Sequence, residues 1–161
     1  MAAGNFKMYY EAKKYMVGAD MDINGTALRM ALDLYSAIRN AVPLRMALYK
    51  SSSNASTFTL STAASITNVV NAAGYTGAKT PGNIVTTIVN TSQFKFSHDA
   101  VIFTASGADL TSVMYALWYL SGGRALGWVK LSTGVFTVTS GNTLTITPNA
   151  SGIFTLSGAV S

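Results

Sequence analysis

No cysteine occurs anywhere in the 161 residues, which excludes a disulfide framework and any thiolate metal site and leaves the redox compartment unmarked. Histidine is almost as scarce. His98 stands alone, so a multi-histidine metal site cannot be built. Only six carboxylates are present, Glu11, Asp20, Asp22, Asp33, Asp99 and Asp109, which leaves few candidates for general acid–base chemistry. Charged residues make up 11% of the chain, against about 25% in an ordinary soluble domain. No apolar run reaches the roughly 18 residues of a membrane helix. The opening Met-Ala-Ala-Gly-Asn-Phe-Lys carries no apolar signal-peptide core, so synthesis in a cytoplasm and no membrane association are expected.

Ser, Thr, Asn and Gly stand where charges are missing. Their short side chains satisfy hydrogen bonds at a surface and lose little entropy when a partner covers it. Such a surface suits dense packing against other subunits. The net charge is +5 and the pI about 9.6. The basic residues are scattered, with Lys13-Lys14 the only adjacent pair. Nucleic-acid binding needs a concentrated basic face, and is not expected here.

The length suits one domain, which can bury about two-thirds of its unfolded surface without staples. Residues 5–17 read as an amphipathic helix: Asn5 is an N-cap, Phe6, Tyr9, Tyr10 and Met16 share a stripe, and Gly18 follows the end. An internal repeat comes next, Leu28-Arg29-Met30-Ala31-Leu32 recurring as Leu44-Arg45-Met46-Ala47-Leu48. Polar residues Arg29, Asp33, Ser36 and Asn40 recur at helical spacing, although Leu28, Met30, Leu32 and Leu34 alternate as in a strand. Helix is the preferred reading for 27–39. Pro43 ends it, and Leu44 to Lys50 reads as a strand.

Everything later is β-like. Asn83 to Asn90 is a β-branched strand. Phe94 to Phe96 reads as running on into 99–104. Residues 113–120 are apolar throughout and predict a strand buried on both faces, with 124–131 returning after Gly122-Gly123. Residues 135–139 and 143–147 flank Ser140-Gly141-Asn142 as a hairpin, and 153–156 is a last strand. The fold class is therefore α+β, mainly β. One domain, 1–161, has an N-terminal helical region (1–42) before an antiparallel, β-sandwich-like body (43–161).

These residues carry a resemblance. Phe6-Lys7-Met8-Tyr9 with Ala12-Lys13-Lys14, Leu44 through Thr57, Gly74-Tyr75, Lys79-Thr80 and Asp99 through Gly107 are similar to segments of a family of small structural proteins of tailed-bacteriophage virions. The end matches best, Lys130-Leu131-Ser132-Thr133 and Phe136 through Phe154. The ordered set covers nearly the whole chain except a segment of about sixteen residues around 28–43 that looks like a local duplication. The resemblance implies membership of a virion assembled in the host cytoplasm. It brings no catalytic residues.

Several constellations invite sharper readings. His98-Asp99, with Ser97, Thr104 and Ser106 nearby, is half of a catalytic triad, but no nucleophile elbow accompanies it. Lys79-Thr80 after Gly74 and Gly77 misses phosphate-loop spacing, since Ala78 stands before the lysine. Asp20, Asp22, Asn24 and Gly25 begin a calcium loop whose twelfth position is Ala31 rather than Glu. The sequons at Asn54 and Asn149 carry no meaning in a phage protein. Tyr115, Trp118, Tyr119 and Trp128 are the candidate interface, since Trp and Tyr anchor protein contacts.

The resulting expectation is a structural protein, not an enzyme, with no cofactor. Its partners are other virion proteins, the major capsid protein first, and it forms homo-oligomers. A capsid decoration or minor head protein is preferred. A head–tail or tail component, and a receptor- or carbohydrate-binding module, are the alternatives.

Overall fold

The computed structural model describes residues 5–9, 43–57, 62–67, 69–70, 73–90, 93–121, 123–150 and 152–157. The apolar run singled out above becomes the organising element, strand β6 (Leu110–Leu120), eleven residues long. Around it are β1 (Lys7–Met8), β2 (Leu44–Lys50), β7 (Ala125–Lys130) and β8 (Phe136–Val138), all antiparallel to their partners. β6 pairs with β2 along one side. On its other side it pairs first with β8 and then with β7, and β1 pairs with β7. A second sheet has the order β10-β4-β3, from Phe154–Ser157, Gln93–Ser97 and Val85–Asn90. A third is a two-stranded ribbon of β5 (Val101–Thr104) and β9 (Thr143–Ile146).

Register sorts the side chains of the central sheet, because directly opposed residues share a face. Leu44, Met46 and Leu48 lie with Leu120, Trp118 and Ala116 on one face. Arg45, Ala47 and Tyr49 lie with Tyr119, Leu117 and Tyr115 on the other. Both faces bury apolar residues, which is why β2 and β6 read as near-continuous hydrophobic runs. Phe96 of β4, Val101 and Phe103 of β5 and Ile146 of β9 join the same core cluster. The three sheets thus close around one interior. β6 meets its neighbours with three register irregularities. One, between Leu110 and Val113, contains Ser112 at φ +59°.

The outer edge of β2 is covered by the chain itself. Met46 exchanges backbone bonds with Lys79, at 2.8 Å each way. Val70 N donates to Leu48 O at 2.9 Å, and Leu48 N donates to the Tyr75 hydroxyl at 3.1 Å. The segments 69–70 and 75–79 therefore act as an edge cover in place of another strand.

Three expectations require correction. The helix predicted from residue 5 is absent at its start, where Lys7 and Met8 form β1 opposite Trp128 and Gly127. The edge of β7 offers backbone partners to Lys7 and Met8, and Phe6 packs edge-on to Trp118 at 5.4 Å. An isolated short helix has nothing comparable to hold it. Gly127 makes this approach possible, since a Cβ there would collide with the Phe6 ring and with Lys7 O. The rest of that helix, the one at 27–39 and the first repeat copy lie outside the described residues. Among the described residues the only helical element is the 3-10 turn Ala63–Ser65.

The run from Phe94 to Thr104 is also not one strand. It breaks at 98–100, with β4 and β5 in different sheets, because His98 turns into the core. Finally, the turn at Ser140-Gly141-Asn142 forms, with Gly141 at φ +87° and Asn142 N donating to Thr139 O at 3.0 Å. Its flanking strands do not pair with each other. β8 docks Val138 and Phe136 opposite Leu110 and Val113, and β9 pairs with β5. Bonds from Ser140 N to the Asp109 carboxylate and from Gly141 N to Ala105 O anchor the turn to these other elements.

Candidate functional site

Apart from tyrosines, His98 is the only buried titratable side chain among the described residues, at 6% exposure. The Trp118 indole N–H, which can only donate, points at its Nε2 from 2.8 Å. Nε2 is therefore the lone-pair nitrogen and the proton sits on Nδ1, which donates to Asp99 O at 2.5 Å. Burial lowers the His98 pKa, opposed by the Asp99 carbonyl and carboxylate. The ring is thus held neutral with both nitrogens engaged.

A triad would need the Asp carboxylate on Nδ1 and a hydroxyl on Nε2. Here the Asp99 carboxylate instead accepts from the Asn83 side-chain amide at 2.6 Å. Neither Ser97, Thr104 nor Ser106 is a partner of the ring. The arrangement can fasten the β4–β5 connection to the central sheet, but it offers no free base.

The four candidate interface residues divide between faces. Trp118 lies on the His98 side. Tyr115 and Tyr119 lie on the opposite face, together with Trp128, which is register-paired with Leu117. Both indoles are inside, at 4% and 6% exposure, while Tyr115 and Tyr119 are half-buried. Tyr115 packs edge-on to Trp128 at 5.6 Å, and Lys7 Nζ sits 5.5 Å from the Trp128 ring centre. The tryptophans therefore serve as packing elements, and the two tyrosines are the members of the set that reach the surface.

Sequence reasoning missed an open cleft of about 470 Å3 on this second face, lined by Tyr49, Tyr75 and Tyr119 with Ala47, Val70 and Ala78. Burial pushes the Tyr49 and Tyr75 hydroxyls up to about 12. Among the described residues that line it there is no His, Asp, Glu, Lys or Arg; what these residues offer is apolar contact surface and tyrosine hydroxyls. The alternation of Tyr49 with Ala47 hinted at its floor. Its walls come from loop residues with no periodicity to read.

The remaining motifs resolve into structure. Lys79 is in the backbone bridge to Met46, and Gly74 packs so tightly on the Ala108 backbone that a Cβ would not fit. Asn54 staples two loops: its amide donates to Ser65 O at 3.0 Å and its oxygen accepts from Thr67 N at 2.8 Å. Asn149 bridges to Gly152. Asp20, Asp22 and Asn24 lie outside the described residues. Among the described residues no three of His, Cys, Asp and Glu cluster as metal ligands would, and no helix is long and apolar enough to cross a membrane. Comparison with protein families, curated proteins and solved structures finds no match.

Proposed function

We propose that the protein is a structural component of a tailed-phage virion, associated with the capsid as a decoration or minor head protein. It acts by packing, with the major capsid protein and further copies of itself as partners, and carries out no catalysis. The resemblance described above supplies the virion assignment. The observation that carries the packing role is the exposed face of the ribbon. Ile102, Thr104, Thr143 and Thr145 all point outward, an uncharged and largely β-branched surface. Such a surface loses little entropy when covered. The engaged state of His98 agrees with a role that needs no base.

Cryo-electron microscopy of purified particles, with this chain traced in the density, tests the reading. Density at repeating positions over the shell is the expected result. Density confined to the tail axis would move the protein to the head–tail or tail apparatus, and absence from the particle would overturn the virion reading.

A further inference from the structure

The ribbon of β5 and β9 differs from the central sheet in how its edge is finished. Ala105 N donates to Asn142 O at 3.0 Å, which fixes the ladder's phase. Counting back along the register, Phe103 and Val101 direct their backbone groups toward β9. Ile102 and Thr104 therefore direct N–H and C=O away from it, and neither has a backbone partner there among the described residues. Both are exposed, Ile102 at 54%. Natural edges are blunted by charge, proline or a covering loop. The β2 edge has such a loop, whereas β5, Val-Ile-Phe-Thr, has no charge and no proline.

The open stretch is short and bounded. Beyond its two ends, Asp99 N is bonded to Gly82 O at 3.0 Å and Ser106 N to Gly74 O at 3.2 Å. What fits between is a strand of about the length of β5 itself. The edge is also self-complementary. In an antiparallel pair centred on Phe103, Ile102 of one copy faces Thr104 of the second, and each exchanges N–H···O=C bonds with the other. Four backbone bonds form, and Asp99 falls opposite Gly107, so no like charges meet. We infer that β5 is a homotypic docking edge, on which a second copy of this chain pairs antiparallel about a two-fold axis to fuse two ribbons into a four-stranded sheet. The contact is small, so the dimer is weak in dilute solution and gains from the high local concentration of a repeating assembly. This inference rests on backbone geometry and stands apart from the virion assignment.

The test uses the purified full chain. Sedimentation equilibrium from micromolar to millimolar concentration should show a monomer–dimer equilibrium. Amide hydrogen exchange should show Ile102 and Thr104 becoming protected as concentration rises. Ile102→Lys changes an exposed side chain and puts a charge on the seam, so it should weaken association about tenfold or more. Thr104→Lys is the second variant should the first fold poorly, and Val135→Lys, on an exposed residue outside the ribbon, should leave association unchanged. A chain that stays monomeric throughout the range overturns the inference. So does a dimer indifferent to both seam variants, or one in which those two amides stay open; either result would place self-association on another surface.

Discussion

Replacing His98 with leucine tests whether this residue fastens the sheets or does chemistry. The Trp118 N–H would lose its only acceptor in a site that water does not reach, a loss of about 1–3 kcal/mol. At about 2–4 °C per kcal/mol for a chain of this size, melting should fall by several degrees. The pH dependence is more specific. Burial lowers the folded-state pKa of His98 below its ordinary 6.5. The unfolded chain therefore takes up a proton first as pH falls. Stability from this group is fully present above about pH 6.5 and is lost progressively below it, until the folded pKa is reached. Structurally, the added proton would sit on Nε2 and face the indole N–H, donor against donor. Denaturant unfolding followed by tryptophan fluorescence between pH 5 and 7.5 reads this effect, since carboxylates ordinarily titrate near 4. The wild type should lose stability toward pH 5, and His98→Leu should be nearly flat. Trp118→Phe should have a shallower slope, because Nε2 is then free to accept the proton. A flat wild-type profile, or a leucine variant with the same slope, would refute the neutral-histidine geometry.

Gly127→Ala should displace Phe6 and detach β1, costing about 1–3 kcal/mol and opening the Tyr9 amide, bonded to Leu126 O at 3.1 Å, to hydrogen exchange. Tyr75→Phe should leave Leu48 N–H without its acceptor and lower stability by about 1–3 kcal/mol in urea titrations. In the wild type, Tyr49 and Tyr75 keep their protons to about pH 12 in the folded state, whereas unfolded tyrosines release them near 10. Stability should thus fall as pH rises above about 10, with a late phenolate absorbance step marking the two residues. Ser112→Gly, which removes the strain of a left-handed serine at φ +59°, should stabilise by up to about 1 kcal/mol, and Ser112→Val should destabilise; thermal melts compare the two.

Strand content was legible wherever tertiary structure agreed with local pattern. Leu44–Lys50 and the return from β6 to β7 followed from apolar runs and a glycine turn. So did the last strand. Pairing was legible only where it was local. The Ser140-Gly141-Asn142 turn looks like a hairpin because the residues that capture its arms, Leu110, Val113, Val101 and Phe103, are distant in sequence and leave no trace near the turn. Phe6 to Tyr9 misled for the same reason. Their spacing fits a helical stripe, but the groove that receives Phe6 exists only because residue 127 lacks a side chain. At the candidate interface, composition identified the aromatic residues, yet it could not say that Trp118 and Trp128 face opposite ways, since that depends on register.

The covered edge of β2 also bears on the order in which the chain can become safe from misassembly. β2 is an apolar strand, and its inner partner β6 is synthesised only some sixty residues later. The groups that shut its outer edge, Val70, Tyr75 and Lys79, emerge from the ribosome well before that and lie closer along the chain, so their loops close with less loss of entropy. The nascent chain can therefore seal one side of this apolar strand while the other still waits for its partner, which narrows the interval in which the strand is open to intermolecular pairing.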